Sequence, residues 1–307
     1  MITESIIRAL ELWIFVLPFT VGGVLLASLA IEFRLFNRLF PVLKPVLQRA
    51  HFSPGSGLAF ITAFGSPIAA VGMVAELYAE KEITQREAVL VTVATWFPQT
   101  IYETFAYIFP IIPLLGTVGV AYVVLFVLNG LVVAVLMFAL GSVLLTGKSY
   151  EFVEAEEREK IVVKTAFKRS VTSSLRLLRR VVAIGLPVSV AAFILIDFGI
   201  FDALPRYLGW MPLPAEALAI IPLKLANPMA AYVTFADLMN AGILDFKSGL
   251  LTLLVASAFL SLRYILAHRL PYYFGIFGPA LGVKITSVSA GLRLGLTGLM
   301  IFLLVLL

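Results

Sequence analysis

Long apolar segments alternate with short polar ones along the whole chain. The apolar segments are residues 12–31, 57–79, 88–109, 114–147, 181–198, 213–241, 248–267 and 288–307. The longest charge-free run extends from Thr104 to Gly147 and holds 44 residues, whereas about 20 apolar residues cross the ~30 Å hydrocarbon core of a bilayer. Such runs are typical of membrane-spanning helices and not of barrel strands, in which apolar and polar residues alternate. The pattern predicts an all-α, polytopic membrane protein.

The composition excludes several classes of protein. Hydrophobic residues make up 61% and charged residues 13% of the chain, with a mean hydropathy of +1.03, whereas soluble domains carry about 25% charged residues. Cysteine is absent and there are two histidines, which excludes thiolate metal sites and cysteine nucleophiles and leaves no basis for a histidine metal cluster. We predict no metal site, no cofactor and no enzymatic activity. The net charge of +5 is interpreted as membrane topology and not as nucleic-acid binding.

One segment has the composition of an aqueous region. Residues 148–180 contain five Glu and nine Lys or Arg, with apolar residues recurring at near-helical spacing. This pattern predicts an amphipathic connector at the membrane surface. The connector divides one integrated membrane domain into a first repeat, residues 1–147, and a second repeat, residues 181–307.

The two halves are related by a shift of 161 residues. This shift places Ser66-Pro67-Ile68-Ala69-Ala70 on Asn227-Pro228-Met229-Ala230-Ala231, and Pro110 on Pro271. The order of the paired positions indicates a duplicated unit of four segments. Chance resemblance between apolar stretches is the alternative.

The distribution of Lys and Arg predicts how each unit crosses the membrane. If all eight segments span, the better orientation has 13 of these residues inside and 8 outside. If segments 57–79 and 213–241 instead enter and leave on the same side, and residues 268–293 are among the cytoplasmic loops, 18 lie inside and 3 outside. The positive-inside rule favours this second arrangement.

The predicted architecture is therefore two repeats, each of three transmembrane helices plus one re-entrant helical hairpin. Because three is an odd number, consecutive repeats insert in opposite orientations, which makes them inverted repeats. We expect a multi-pass protein of the cell (plasma) membrane with both termini outside and the connector 148–180 in the cytoplasm.

The turns of the two hairpins supply the first candidate binding residues. Pro67 and Pro228 place a helix break in the middle of each segment, and Ser66 and Asn227 directly precede them. Non-helical backbone at membrane depth occurs where it is buried in protein or lines a water-filled cavity. We predict that Ser66 and Asn227 bind a solute, with an ordinary structural role as turn residues as the alternative.

A polar cluster follows an interior proline in the next segment. Pro98 breaks the helix, and Gln99, Thr100 and Glu103 come directly after it. A carboxylate inside a membrane span costs several kcal/mol unless it is paired, protonated or facing water, so Glu103 is a functional candidate by default. We predict that these three side chains bind substrate. A structural ion pair is the alternative for Glu103.

The second half has a different set of polar residues. Lys224 lies three residues before Asn227, and we predict that it pairs with Glu103 or with an anionic substrate. Ser257 and Arg263 occupy the segment that corresponds to the one with Pro98, and they complete the predicted substrate-binding set. For Lys224 and Arg263 the alternative is that the side chain extends to the membrane surface.

The segments 56–70 and 217–231 resemble the nucleoside-recognition or Gate domain. That domain is shared by concentrative nucleoside transporters, the ferrous-iron permease membrane domain and the spore-maturation membrane proteins. In the transporters two opposed hairpins and two unwound helices surround the substrate, which implies binding roles for Ser66, Gln99, Thr100, Asn227 and Ser257. The hairpin motif Gly65-Ser66-Pro67 lacks the carboxylate of the transporters' Glu-Ala-Pro-like motif.

These observations predict a secondary membrane transporter that moves a small polar or anionic solute, which includes nucleoside-like molecules. Alternating access around the two hairpins is the expected mechanism, with a proton or sodium ion as the coupling ion. The alternative is a non-transporting membrane assembly component similar to the spore-maturation proteins. The expected partners are the lipid bilayer, the small-molecule solute and further copies of the chain in a homo-oligomer.

Overall fold

A computed structural model describes residues 40–145, 211–226 and 228–307, together with a few isolated positions in 3–14 and 183–194. The connector 148–180 and nearly all of the predicted segments 12–31 and 181–198 lie outside these residues. The described part is helical, which confirms the all-α fold class. Its helices are α1 (Phe40–Arg49), α2 (Pro54–Thr62), α3 (Pro67–Ala79), α4 (Gln85–Ala94), α5 (Trp96–Leu144), α6 (Ala215–Ala226), α7 (Pro228–Asn240), α8 (Phe246–Tyr264), α9 (Leu270–Phe277) and α10 (Pro279–Leu306), with a π-turn at Ile265–Arg269.

Three helical stretches of the described residues are long and apolar enough to cross a membrane. They are Ile112–Leu144, Phe246–Phe277 and Pro279–Leu306. Helices of this length that carry few charges are the structures that a bilayer accommodates. The protein is therefore described as a membrane protein.

Helices α2 and α3 form the first helical hairpin. Ser53 caps α2 by accepting a hydrogen bond from Ser56 N, and Pro54 occupies the first helical position, where its missing N–H costs nothing. The chain turns between Thr62 and Ser66, and Ser66 caps α3. The backbone of Gly55 approaches Leu77 so closely that a Cβ at this glycine would lie 2.8 Å from the leucine side chain. The start of α2 therefore contacts the end of α3, so the two helices are antiparallel.

Helices α6 and α7 repeat the backbone boundaries of α2 and α3 at a constant offset of 161 residues. Both α3 and α7 are 13 residues long and begin with proline. Each is followed by a residue with positive φ, Lys81 (φ 60°) or Gly242 (φ 70°), a helix ending that glycine adopts at little cost. The next helix is capped by Thr84 in the first half and by Asp245 in the second.

The offset becomes 162 residues after the π-turn. Gly116 (φ 55°) kinks α5, and Gly278 (φ 84°) separates α9 from α10. From these glycines onward, residues 117–144 of α5 correspond to α10. A π-turn is a common way for an α-helix to accommodate a deviation in its hydrogen-bond register, frequently at a functional site. The π-turn Ile265–Arg269 thus coincides with the extra residue of the second half.

The core consists of two main apolar clusters at opposite ends of a central helix pair, α5 and α10. The first cluster joins α2, α3 and α4 to Met137 of α5 and Leu281 of α10. The second joins α6, α7 and α8 to Val118 of α5 and, at its margin, Leu304 of α10. Position increases along α5 as it decreases along α10, so the central helices are antiparallel. Nineteen residues of helix separate Val118 from Met137, or about 28 Å.

The structure corrects one part of the predicted topology. Residues 268–293, expected to be a cytoplasmic loop, form the end of the π-turn, α9 and the first half of α10. Two of the cations counted there are within the protein: Arg269 is 8% exposed, and Arg293 lines an internal cavity. The error has a physical cause, because aromatic faces and amide groups accommodate guanidinium groups that hydropathy assigns to water.

Candidate functional site

A cavity of about 290 Å³ lies between the central helices α5 and α10 and the helices α7 and α8 of the second half. Its wall combines apolar, aromatic and polar side chains. The lining residues are Trp96, Glu103, Tyr122, Leu125, Phe126, Asn129, Tyr232, Leu254, Ser257, Leu260, Ser261, Tyr264, Arg293, Thr297 and Met300. An apolar cavity with a few convergent polar groups is the usual form of a small-molecule site.

Glu103 belongs to a chain of side chains that crosses between the two halves. Its Oε1 accepts a hydrogen bond of 2.7 Å from Gln99 Nε2. The Oε1 of Gln99 accepts one of 2.8 Å from Arg269 Nη2, on the π-turn. The amide thus connects a carboxylate to a guanidinium without direct contact between the charges, and the π-turn brings Arg269 to this position.

Trp96 is the contact surface for two guanidinium groups. The Cζ atoms of Arg269 and Arg293 lie 4.2 Å and 3.8 Å from the centre of its ring, which are close cation–π distances. Arg293 also lies 5.8 Å from the ring of Phe126. These contacts keep two cations beside the cavity in largely apolar surroundings.

Two polar atoms of the cavity wall have no hydrogen-bond partner within the described part of the chain. They are Trp96 Nε1, a donor, and Asn129 Oδ1, an acceptor. The amide nitrogen of Asn129 donates to Arg293 O (3.3 Å) and to Thr297 Oγ1 (3.2 Å), which fixes the orientation of the amide. Buried polar atoms are normally hydrogen-bonded, so each unpaired atom requires an explanation such as a ligand or water.

Lys224 lies behind the cavity wall, at the end of α6. Its side chain is 0% exposed, and its Nζ donates to Ser257 Oγ at 2.7 Å. The ring centres of Tyr122 and Tyr232 lie 5.0 Å and 4.9 Å from the same nitrogen. The ammonium group is therefore enclosed by one hydroxyl and two aromatic rings, all from residues that line the cavity.

The structure brings together four of the predicted site residues. Glu103 and Ser257 line the cavity, while Gln99 and Lys224 contact these two side chains directly. The predicted pairing of Lys224 with Glu103 is not observed, because Lys224 donates to Ser257 while Glu103 accepts from Gln99.

The other predicted residues lie outside this group. Thr100 is fully buried and donates to Trp96 O within its own helix. Ser66 caps α3 by accepting from Ala69 N. Arg263 donates to Leu225 O near the end of α6, where a cation is favourable because it offsets the partial negative charge of the carbonyl groups. Asn227 lies outside the described residues.

The predicted helix breaks coincide with helix boundaries. Pro67 begins α3 and Pro228 begins α7. Pro98 lies in the first turn of α5, and the chain leaves regular α-helix for the single residue Thr95 between α4 and α5. Proline lacks the N–H that would continue the helix of Ala94, which explains why the interruption falls three residues before it.

Sequence reasoning missed several residues of the site. Asn129 is one of four asparagines in the chain and lies inside the longest charge-free run, a signal that was available. Arg269 and Arg293 were assigned to a loop because the apolar segments around them were drawn too short. The aromatic residues Trp96 and Tyr122 carry no signal of their own among 24 Phe, 10 Tyr and 3 Trp.

A second polar group, Glu87, is buried at the base of the first hairpin. It is 4% exposed, and its Oε1 accepts from Ser53 N and from Ser56 Oγ, each at 2.7 Å. The spacing Thr84-x-x-Glu87 is that of a capping box, and Thr84 Oγ1 accepts from Glu87 N at 3.2 Å. The carboxylate, however, reaches α2, so it joins the start of α4 to the start of α2.

The chain is similar over most of its length to proteins of Methanocaldococcus jannaschii. Uncharacterized protein MJ0871 is 27% identical over 266 residues, which cover 85% of this chain and 83% of that protein. Uncharacterized protein MJ1556 is 24% identical over 93% of this chain and 92% of its own length, and uncharacterized protein MJ0880 is 24% identical over 92% and 94%. No family model matches the chain, and no solved structure matches it.

Proposed function

We propose that the protein is a secondary membrane transporter that binds a small polar or anionic solute in the cavity between the central helices. The observation that carries the proposal is a cavity of about 290 Å³ whose wall includes an unpaired donor, Trp96 Nε1, and an unpaired acceptor, Asn129 Oδ1. A solute with both kinds of group satisfies both atoms. Nucleoside-like molecules belong to this class.

The charges around the cavity favour an anionic or strongly polar solute. Glu103 and Arg293 line it, and Arg269 and Lys224 contact lining residues. Three cations thus surround one carboxylate. In a medium of low dielectric constant this excess attracts a negative group much more strongly than it would in water.

The inverted-repeat architecture is the second part of the proposal. The constant offset between the backbone boundaries of the two halves supports a duplicated unit. The two hairpins pack at opposite ends of the antiparallel pair α5 and α10, about 28 Å apart along the helix axis, which supports opposite insertion of the two units. In transporters with this design the solute binds at the repeat interface, near the middle of the membrane.

Uptake into liposomes that contain the purified full-length protein tests the proposal. The probes are radiolabelled uridine, benzoate and glycerol phosphate, which represent a nucleoside, a monocarboxylate and a phosphate ester. We expect at least one probe to accumulate faster than in protein-free liposomes. Absence of uptake for all three would contradict transport of the proposed solute classes and favour an assembly role.

Glu103→Gln tests whether the cavity is the transport site. The amide retains the volume and an acceptor for Gln99 but removes the charge, so we expect normal folding and an uptake rate changed by about tenfold or more. Glu82→Gln is the matched control, because Glu82 is exposed in the turn after α3. Equal uptake by Glu103→Gln and the control would exclude a role for this carboxylate.

A further inference from the structure

Lys224 is the buried charge that the described contacts leave least compensated. Its ammonium group has one hydrogen bond, to a neutral hydroxyl, and lies against the rings of Tyr122 and Tyr232. No carboxylate within the described ranges forms an ion pair with it. Removing an ion from water costs several kcal/mol, and cation–π contacts recover only part of that cost.

The hydrogen bonds around Ser257 converge in a way that suits an anion. The single hydroxyl proton of Ser257 is directed to Leu253 O, so its oxygen accepts from both Lys224 Nζ (2.7 Å) and Tyr122 Oη (2.8 Å). One neutral oxygen therefore receives a cationic donor and a phenolic donor. A carboxylate provides two negatively charged oxygens for the same two donors, in charge-assisted hydrogen bonds that are about twice as strong as neutral ones.

The shape of the cavity restricts the rest of the ligand. Five of its lining side chains are aromatic, namely Trp96, Tyr122, Phe126, Tyr232 and Tyr264, and aromatic walls favour a flat ring in stacked or edge contact. A volume of about 290 Å³ corresponds to about ten water molecules at ~30 Å³ each. The ligand is therefore small and planar.

We propose that Lys224 and Tyr122 bind the carboxylate of a planar, aromatic monoanion that occupies the cavity. This inference rests on the proposed function and specifies the solute class of the same site. The free protein retains an ammonium group that costs stability, and the bound anion compensates this charge. Selectivity for monoanions over neutral molecules of the same shape follows directly.

The test uses benzoate and its neutral analogue benzamide with the purified full-length protein. We expect benzoate to raise the melting temperature and to bind about tenfold or more tightly than benzamide. Lys224→Met removes the charge with similar volume, so its melting temperature should equal or exceed that of the unsubstituted protein, and its response to benzoate should be lost. Lys284→Met, at an exposed position of α10, is the control and should respond normally.

Tyr122→Phe provides an independent readout, because it keeps the ring beside Lys224 and removes only the phenolic donor. We expect it to fold normally and to weaken benzoate binding about tenfold. Equal binding of benzoate and benzamide, or an undiminished benzoate response in Lys224→Met or Tyr122→Phe, would overturn the inference. Uptake of uridine without benzoate binding would overturn this inference alone, whereas absence of all probe uptake and binding would remove the proposed function as well.

Discussion

The two hairpins share a backbone plan but place their polar contacts at different ends. In the first hairpin the buried carboxylate of Glu87 fastens the base, through Ser53 and Ser56. At the same offset the second half has Pro214 and Ala217, which offer neither an N–H nor a hydroxyl group for this purpose. Its capping residue Asp245 instead pairs locally with Ser248.

Near the turn the comparison reverses. The second hairpin has Lys224 against the cavity wall and Leu225 O bonded to Arg263. The first hairpin has Ser66 as a helix cap and Ile68 O bonded to Tyr272. The duplicated backbone therefore carries an anchor at the base of one hairpin and binding chemistry near the turn of the other. This difference identifies the second hairpin as the one that contributes to the site.

The largest expected effect concerns the orientation of the two hairpins. Glu82 and Ile243 occupy equivalent, exposed positions in the turns that follow α3 and α7, and the chain contains no cysteine. If the repeats are inverted, Glu82→Cys and Ile243→Cys react with a membrane-impermeant thiol reagent from opposite sides of sealed vesicles. We expect each single-cysteine variant to be labelled from one side only.

Labelling of both positions from the same side would exclude inverted repeats. It would leave the cavity intact as a structural feature, because its geometry does not depend on the direction of insertion. A third cysteine at Ser170, within the connector, assigns the labelled side of Glu82→Cys relative to the connector.

The sequence predicted the helical class and the break points of the hairpins because these depend on local properties. Pro67 and Pro228 lack an N–H wherever they occur, and the offset of 161 residues follows from their spacing. The polar lock of Glu87 and the position of Arg293 depend on contacts between residues 31 or more apart in sequence, which a hydropathy pattern does not contain. The same limit explains why Glu103 was recognised while its partner Arg269 was assigned to a loop.

The second prediction concerns the lock at the base of the first hairpin. Glu87→Leu leaves Ser53 N and Ser56 Oγ buried without their acceptor, at a cost of about 1–3 kcal/mol each. We expect a loss of about 2–4 kcal/mol in stability, measured as a lower melting temperature in detergent. Ser248→Ala changes the equivalent position of the second half, where the contacts are exposed, and should have a smaller effect. Equal melting temperatures for the two variants would show that Glu87 is not an anchor.

The smallest expected effect distinguishes the two helix caps, Thr84 and Asp245. Asp245 accepts from Ser248 N at 2.7 Å and from Ser248 Oγ at 2.6 Å, and these hydrogen bonds lower the pKa of its carboxyl group. Because folding lowers this pKa, the associated stability is present above the unfolded value of about 3.9 and is lost as the pH falls through the lower folded value. We expect Asp245→Ala to lose about 1 kcal/mol at neutral pH, and the deficit should shrink below about pH 4. Thr84→Ala, which removes a cap that does not titrate, should show a similar deficit that stays constant between pH 7 and pH 4. Thermal unfolding in detergent across this range measures both variants, and a pH-independent deficit for Asp245→Ala would contradict a charged cap at the start of α8.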